Sequence, residues 1–567
     1  MPNIRANIKS NTDKALTPFT YVLDSISLTN HQGQKADIQN IVTDFTITES
    51  LYTAAMIIHL NVKDMANFIE EYQLIGQETI EVDMGRHEFT SQNRINVKLK
   101  FYVTEYSMYG RGNQANTQAY TIVGVTKHAY ISPFKRISRA VNDAVSVIIR
   151  RILTNDLLID AENISRMEFT TGRFNGVLPL MNPLDTCYWL LRRAFDPNSR
   201  PFFLYESMID RIRMESLTSL IDDKKNPIYR TYRDAKIYSK SPGTAEYYKE
   251  LAERIINISS DFKLSKVLPT VSNGAYAANN LFLDLSTKTI KKQSFSYASI
   301  DPESTLNKHS VLSKKFGVPY ENTAHVLRID QTYDAFTEYL PINSLAYAKL
   351  QPYLSSTASS QPIVNYSLKD TSSSSTYAGQ DVVASLNPAA AAAASALASQ
   401  FSGWISNQFA QCILNITAGT GAGSSAIIRS NDANTLYWDS PCFVVDSSSK
   451  YTILCPDTSS KTYHDLMVNR LGTFNSVTET LDTFAHELVI AGDFNMRPGR
   501  KITLEIPKAI DLKAFDKKTM KGNFDDTFDR IISGNYLVTS VIHQFNEEYH
   551  CRIRVKRDSL TYDLNES

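Results

Sequence analysis

The residues that could carry chemistry in this chain are few and poorly spaced for it. Ten histidines occur in 567 residues, none in the HExxH or HxxH spacing that sets two imidazoles on one helix face toward a metal. His543 and His550 fall on segments that alternate like two separate strands, so ordinary packing is their expected role. Gly419-Thr420-Gly421-Ala422-Gly423 has the glycine density of a phosphate loop. No Lys-Ser or Lys-Thr pair follows it and no strand–helix unit surrounds it, so it reads as a loop of a small β module. Asp525-Asp526 and Glu547-Glu548 supply paired carboxylates of the kind a glycosidase sets on either side of a scissile bond. Both pairs lie in polar turns, where solvated charge is the ordinary state. No GxSxG elbow and no supporting serine–histidine spacing is present. Cys187, Cys412, Cys442, Cys455 and Cys551 are odd in number, scattered and without CxxC spacing, which predicts reduced, mostly buried thiols. The expectation is no catalytic, cofactor-binding or metal residue, no cofactor, and a protein that is not an enzyme.

Lysine plus arginine equals aspartate plus glutamate, 59 each, for a formal net charge of zero. Affinity for phosphate chains comes from a basic excess, so nucleic-acid binding as the main task is disfavoured. Low self-repulsion instead suits a subunit of an assembly. An apolar fraction of 43% with 10% aromatics supports real cores. The length implies three or four folding units. The opening MPNIRANIKSNTDKAL lacks a basic-then-apolar signal and no apolar run is long enough to span a membrane, so synthesis and folding in a cytoplasm are expected.

The elements that must position any site begin with period-two alternation. Ile41, Phe45 and Ile47, then Met56, Ile58, Leu60 and Val62, then Ile80, Val82 and Met84, then Val97, Leu99, Phe101 and Val103, then Tyr120 and Ile122 each line one face of a strand. Asn30-His31-Gln32-Gly33 and Gly110 to Asn116 supply turns, and Asp64 caps a short helix through Ile69. Residues 19–127 thus form a small barrel or split sandwich, after an N-terminal arm at 1–18. The period then becomes helical: Ile137, Ala140, Val141, Ala144, Ile148 and Ile152 make one stripe, and further helices are expected over Pro183–Phe195 and Thr244–Ile256. Residues 128–199 and 237–353 form a mixed α/β middle domain.

Serine, threonine and glutamine dominate Leu354 to Gly379, and Asn387-Pro388 opens an alanine-rich helix from Ala389 to Ala394 and beyond. Short strands follow, so 354–460 reads as an inserted small β module on a flexible lead, projecting from the surface. Alternation returns over 461–560 in four long strands. These are too few to close a barrel, and the Phe202–Leu217 hairpin is expected to complete the set, so 200–236 joins 461–560; a tail covers 561–567. Thirty tyrosines, as in Tyr238 and Tyr247-Tyr248, suit interfaces and β strands equally. The fold class is α+β, mainly β, with two small antiparallel barrels.

Four stretches carry a family resemblance. Asp24–Leu28 with Ile41–Leu51 and Leu60–Asp64 resembles the first tube domain of the baseplate hub proteins of contractile-tailed phages. Arg200–Leu220 is similar to that family's hairpin, and Asn273–Tyr276 with Asp284-Leu285 and Phe295–Tyr297 to its middle segment. Leu488–Gly499 resembles the motif that opens its second tube domain, with Val538–Asp558 as the close. These cover about two thirds of the chain; the 354–460 insertion is the departure. The resemblance implies tube-type barrels and a homotrimer whose pseudo-sixfold ring adapts a hexameric tail tube to a trimeric central spike. It also implies surrounding baseplate wedge proteins, DNA passing through the lumen without specific binding, no membrane insertion, and a place in the virion tail. A type VI secretion or tailocin-like spike hub is the alternative in the same mechanical class, and a cell-wall-degrading tail enzyme the alternative in another.

Overall fold

The computed structural model describes residues 17–87, 94–111, 117–170, 174–194, 200–222, 227–230, 245–258, 274–284, 289–296, 412–431, 463–482, 484–507 and 531–562, with short pieces between. The alanine-rich segment, Tyr238, Gly112 to Asn116 and Asp525-Asp526 lie outside the described residues.

The first strand array contains β1 (Val22–Thr29), β2 (Lys35–Asp37), β3 (Val42–Ser50), β4 (Thr53–Asp64), the one-turn helix α1 (Phe68–Glu71), β5 (Thr79–His87), β6 (Arg94–Arg111) and β7 (Gln118–Thr126). The alternation is realised: Ala54, Met56, Ile58, Leu60 and Val62 of β4 are all buried. The β1–β2 turn is held by Asn30, whose Oδ1 accepts from Gln32 N (3.0 Å) and Gln34 N (2.9 Å). Gly33 there takes a φ of +82°, which only glycine adopts cheaply. The Asp64 carboxylate accepts from Ala66 N and Phe68 N (2.8 and 2.7 Å) and holds the lead into the turn, but the helix begins later than expected, at Phe68, with Asn67 and not Asp64 at its cap position.

The middle region carries α2 (Lys127–Ile131), β8 (Ala140–Asp143), α3 (Val145–Arg151), β9 (Ile164–Met167), β10 (Phe174–Val177), α4 (Pro183–Leu191), β11 (Phe202–Ser207), β12 (Arg211–Ser216) and α5 (Leu217–Ile221). The helical stripe expected from Ile137 is only half right. Ala140–Asp143 is a strand paired with Phe174–Val177, and the helix starts at Val145. Apolar spacing over a short run does not separate the two forms, and a waiting ladder decides it. The buried ends of the stripe, Ile148 and Ile152, face the core as expected.

Next come β13 (Ile228–Arg230), α6 (Ala245–Ala252), β14 (Ile255–Ile258), β15 (Ala277–Asp284), β16 (Thr289–Ser296) and β17 (Ala324–Asp330). The module that follows has β18 (Tyr339–Ile342), β19 (Tyr366–Lys369), β20 (Ile413–Ala418), β21 (Ser425–Asn431), β22 (Thr435–Trp438) and β23 (Lys450–Pro456) in one sheet, ordered β18-β23-β20-β21-β22-β19. Its edge strand β18 precedes the boundary expected at Leu354. The chain ends with α7 (Tyr463–Thr480), β24 (Phe484–Ala491), β25 (Lys501–Glu505), β26 (Gly534–Phe545) and β27 (Tyr549–Arg557).

A 13-stranded sheet joins the two ends of the chain in the order β14-β24-β27-β26-β3-β4-β7-β6-β5-β1-β2, with β25 on β26 and β13 on β25. Two like arrays are contained in it. The path β3-β4-β7-β6-β5-β1 in the first matches β14-β24-β27-β26-β25-β13 in the second. The ladders agree in direction except the last: β1 is antiparallel to β5 while β13 is parallel to β25.

Registers agree as well. β6 bulges between Val103 and Glu105 opposite Gly124 and Val123, and β26 bulges between Val538 and Ser540 opposite Val555 and Arg554. Both bulge threonines donate to the facing carbonyl, Thr104 to Val123 O and Thr539 to Arg554 O, each at 3.2 Å. Val103 N bonds Glu78 O and Val538 N bonds Arg500 O, each at 2.9 Å. β3 skips Thr43 against Val62 and Asn61 of β4, as β14 skips Ile256 against Ile490 and Val489 of β24. A bulge is a specified feature of a strand and not a defect, so its recurrence at matched registers marks one element built twice.

No complete ladder closes either array into a barrel among the described residues. The ends approach through Ile38 N to Ile26 O (3.0 Å) in the first and Arg230 N to Glu253 O (2.8 Å) in the second. The expectation that the 202–217 hairpin completes the second array is corrected: β12 pairs in parallel with β9, in a separate three-stranded sheet β11-β12-β9. The sixth strand of that array is β13, and β14 comes from the stretch assigned to the middle domain. A six-residue strand buried on both faces needs cover more than a second edge, and the hairpin gets it by packing on β3 and β4.

Candidate functional site

The joint between the arrays is where their chemistry concentrates. β26 runs antiparallel to β3 from Ser540↔Ser50 to Phe545↔Phe45. At one end of this seam Phe45 and Phe545 stack at 4.6 Å, with Tyr549 stacked on Phe545 at 4.5 Å. At the other end Leu51 N bonds Thr539 O at 2.9 Å. Residues of both arrays, including Ile26, Phe45, Ile58, Phe101, Leu488, Val541 and Val555, belong to one continuous buried cluster. Aromatic pairs of this kind add about 0.5–1.5 kcal/mol each beyond their buried area.

Two buried carboxylates tie the hairpin to β3 and β4 of the first array, beside the seam, by reciprocal bonds. Glu49 of β3 accepts from Met208 N at 2.6 Å, and Glu206 of β11 accepts from Met56 N at 3.2 Å. Glu206 also accepts from the Thr126 hydroxyl (2.9 Å) and stands 3.2 Å from His128 Nε2. Burial alone would lower the basicity of His128, but the Glu206 carboxylate outweighs it and raises it.

A second network fixes the turn before β25. Glu215 pairs with Arg213 (2.9 Å) and Arg166 (2.8 Å), and Arg497 reaches Asp210 (3.1 Å) and the Tyr205 hydroxyl (2.9 Å). Burial opposes the charge on Glu215, yet the guanidinium groups of Arg213 and Arg166 hold it down at about 2. Gly499, at φ +78°, leaves room for Leu220 and Tyr205: an added Cβ would lie 2.9 Å from Leu220 Cδ2. The hairpin thus docks on Leu488–Gly499 through charges and close packing, though no ladder joins them.

His543 of β26 is the histidine whose surroundings resemble an active site. Its Nδ1 lies 2.8 Å from Tyr549 Oη and 3.5 Å from Cys551 Sγ, and its Nε2 lies 3.5 Å from Glu49 Oε1. A cysteine, a histidine and a carboxylate in this order are the parts of a thiol nucleophile. Burial would depress the imidazole, but Cys551 and Glu49 outweigh it and raise it to about 10. Glu49, His543, Tyr549 and Cys551 are each 0% exposed, so no substrate reaches the sulfur. The cluster is a fastening of the seam. Its histidine was visible in the sequence, but Glu49 was not, because nothing local links positions so far apart.

The other candidates disperse. His550 pairs with Glu548 (3.2 Å) at the β26–β27 turn, where Glu547 and Glu548 are exposed. Gly419, Gly421 and Gly423 all have positive φ in the β20–β21 turn, as a loop of a β module requires, and Gly423 faces the Arg166 side chain. No group of three His, Cys, Asp or Glu side chains suited to a metal occurs among the described residues. Cys187 and Cys551 are free and buried, but Cys412 is disulfide-bonded, which overturns the all-reduced expectation at that position. No helix among the described residues is long and apolar enough to cross a membrane.

Comparison with protein-family models gives no match, and no curated protein matches the chain. Among solved structures, the tail protein from Neisseria meningitidis MC58 is similar over 95% of this chain and 97% of its own, at TM-score 0.40 and 7% identity. The 43 kDa tail protein of prophage MuSo2 from Shewanella oneidensis covers 94% of this chain and 98% of its own, at TM-score 0.39 and 8% identity. An E. coli component of the type VI secretion system covers 97% of this chain and 79% of its own, at TM-score 0.30 and 8% identity. These TM-scores, all below 0.5, assign no function to this chain.

Proposed function

We propose that the protein is a structural component of a contractile phage tail, a homotrimeric baseplate hub that adapts a six-fold tube to a three-fold spike and does not act as an enzyme. The observation that carries this reading is the duplicated array, matched in strand order and bulge register and joined edge to edge within one chain. A chain with two like wall elements lets three copies imitate six, which is what a joint between six-fold and three-fold partners needs. The sequence resemblance to baseplate hubs supports the same reading. In it the ring meets a tail tube hexamer on one face and a trimeric spike on the other, with wedge proteins around it and DNA passing through the bore.

Native mass measurement of the purified full chain tests it, and a mass of three chains is expected. A monomer at micromolar concentration, or a clear lytic band for the purified protein in a cell-wall zymogram, overturns it.

A further inference from the structure

Cys412 is disulfide-bonded, while Cys187 and Cys551 are free. The chain has five cysteines, so the partner of Cys412 is Cys442 or Cys455. Strand register separates the two. β20 runs antiparallel to β23, with Ile413 opposite Leu454, Leu414 opposite Ile453 and Ile416 opposite Tyr451. One step beyond Ile413↔Leu454, position 412 stands opposite position 455, which belongs to β23.

The sheet faces and the ladder agree with that placement. Successive residues of a strand alternate between faces, so 412, 414 and 416 share a face with 451, 453 and 455 across from them. Cys412, Leu414 and Ile416 are buried, and so are Tyr451 and Ile453. A pair at 412 and 455 extends this buried row. The backbone of Cys412 makes its bonds away from β23: its N donates to Phe409 O (2.9 Å) and its carbonyl accepts from Ile428 N of β21 (2.8 Å). Positions 412 and 455 therefore form a non-hydrogen-bonded pair, the kind in which Cα atoms stand about 4.5 Å apart and side chains come closest. That spacing falls within the range of about 4.4–6.8 Å that a disulfide spans.

We propose that Cys412 and Cys455 form a cross-strand disulfide that fastens the two inner strands of the inserted module, and that this fastening follows the redox state of the surroundings. Its formation takes two protons and two electrons from the thiols, and a small-molecule disulfide accepts them on becoming two thiols. A small unit with little apolar area to bury gains most from such a staple. The seam between the two arrays has no part in it, since Cys551 there is free. Reduction thus loosens the module while the arrays stay closed. The inference stands apart from the trimeric reading above.

Peptide mapping tests the pairing. The full chain is treated with oxidised glutathione, unfolded, alkylated without reductant and digested for mass spectrometry. A linked pair of peptides carrying Cys412 and Cys455 is expected, with Cys187, Cys442 and Cys551 alkylated. The link persists in Cys442→Ser and is lost in Cys455→Ser, where Cys412 is alkylated. Linkage of Cys412 to Cys442, or alkylation of all five cysteines in the wild type, overturns the pairing. Hydrogen exchange on the wild-type chain with and without dithiothreitol tests the fastening. On reduction the amides of β20 and β23 lose protection and those of β26 and β27 keep it. Module amides that stay protected in the fully reduced chain, or array amides that open with them, overturn the redox fastening.

Discussion

Replacing Glu49 by Gln tests whether the seam depends on a buried charge pair. The substitution keeps the size of the side chain and an oxygen to accept from Met208 N, which the carboxylate holds at 2.6 Å. It removes the negative charge 3.5 Å from His543 Nε2, where both side chains are fully buried. Removing one partner of a buried pair costs about 3–5 kcal/mol. The rise of the imidazole from 6.5 to about 10 gives a figure of the same order, roughly 5 kcal/mol at about 1.4 kcal/mol per pKa unit, divided between Cys551 and Glu49.

A raised folded-state pKa stabilises fully below the unfolded value, and that stabilisation is lost as pH rises through the folded one. The gap between wild type and Glu49→Gln is therefore largest near pH 6 and narrows between about 6.5 and 10. The groups facing the imidazole are Glu49 of β3, Tyr549 and Cys551 of β27, and the Phe545 ring. Urea unfolding across this pH range measures the gap. A gap under about 1 kcal/mol near pH 6, or one that widens with pH, would refute the reasoning.

The remaining predictions concern the hairpin and its dock. Gly499→Ala combines a positive φ with a methyl 2.9 Å from Leu220 Cδ2, and should lower stability by about 1–3 kcal/mol. Gly33→Ala has the same sign of φ but open space around it, and should cost about 1 kcal/mol, so equal losses in thermal melts count against the packing argument. Glu215→Gln removes a carboxylate held at about 2, below its ordinary 4.5. A depressed carboxylate stabilises above its unfolded pKa and loses that contribution as pH falls through the folded value, so the variant is weaker at neutral pH and the difference fades between 4.5 and about 2. A difference that persists undiminished below that window contradicts the role given to Arg213 and Arg166.

Much of the strand content was legible because one face of each strand is buried: Met56, Ile58, Leu60 and Val62 alternate strictly, and Ile502 and Leu504 do the same. The idea of one element built twice was legible too, but not its membership. β14 was hidden because Ile255 continues the helical stripe of Tyr248, Leu251 and Ala252, so a four-residue strand read as the end of a helix. The hairpin was assigned to the wrong sheet for a related reason. Phe202–Ser207 announces a strand buried on both faces, yet periodicity says nothing about which neighbour buries it. The seam itself was beyond reach, since Glu49 and His543 meet only through the pairing of β3 with β26.

That pairing also decides how the joint between the arrays bears a load. Ladder bonds in an antiparallel pair run perpendicular to the strands, so an even pull across the seam loads all of them together. Tearing has to begin at a terminus of the ladder and travel bond by bond. Both termini are clamped: the Phe45–Phe545 stack at one, the Leu51 N to Thr539 O bond at the other. Such a joint resists peeling at the points where peeling starts, so the two arrays separate only when an end clamp has first given way.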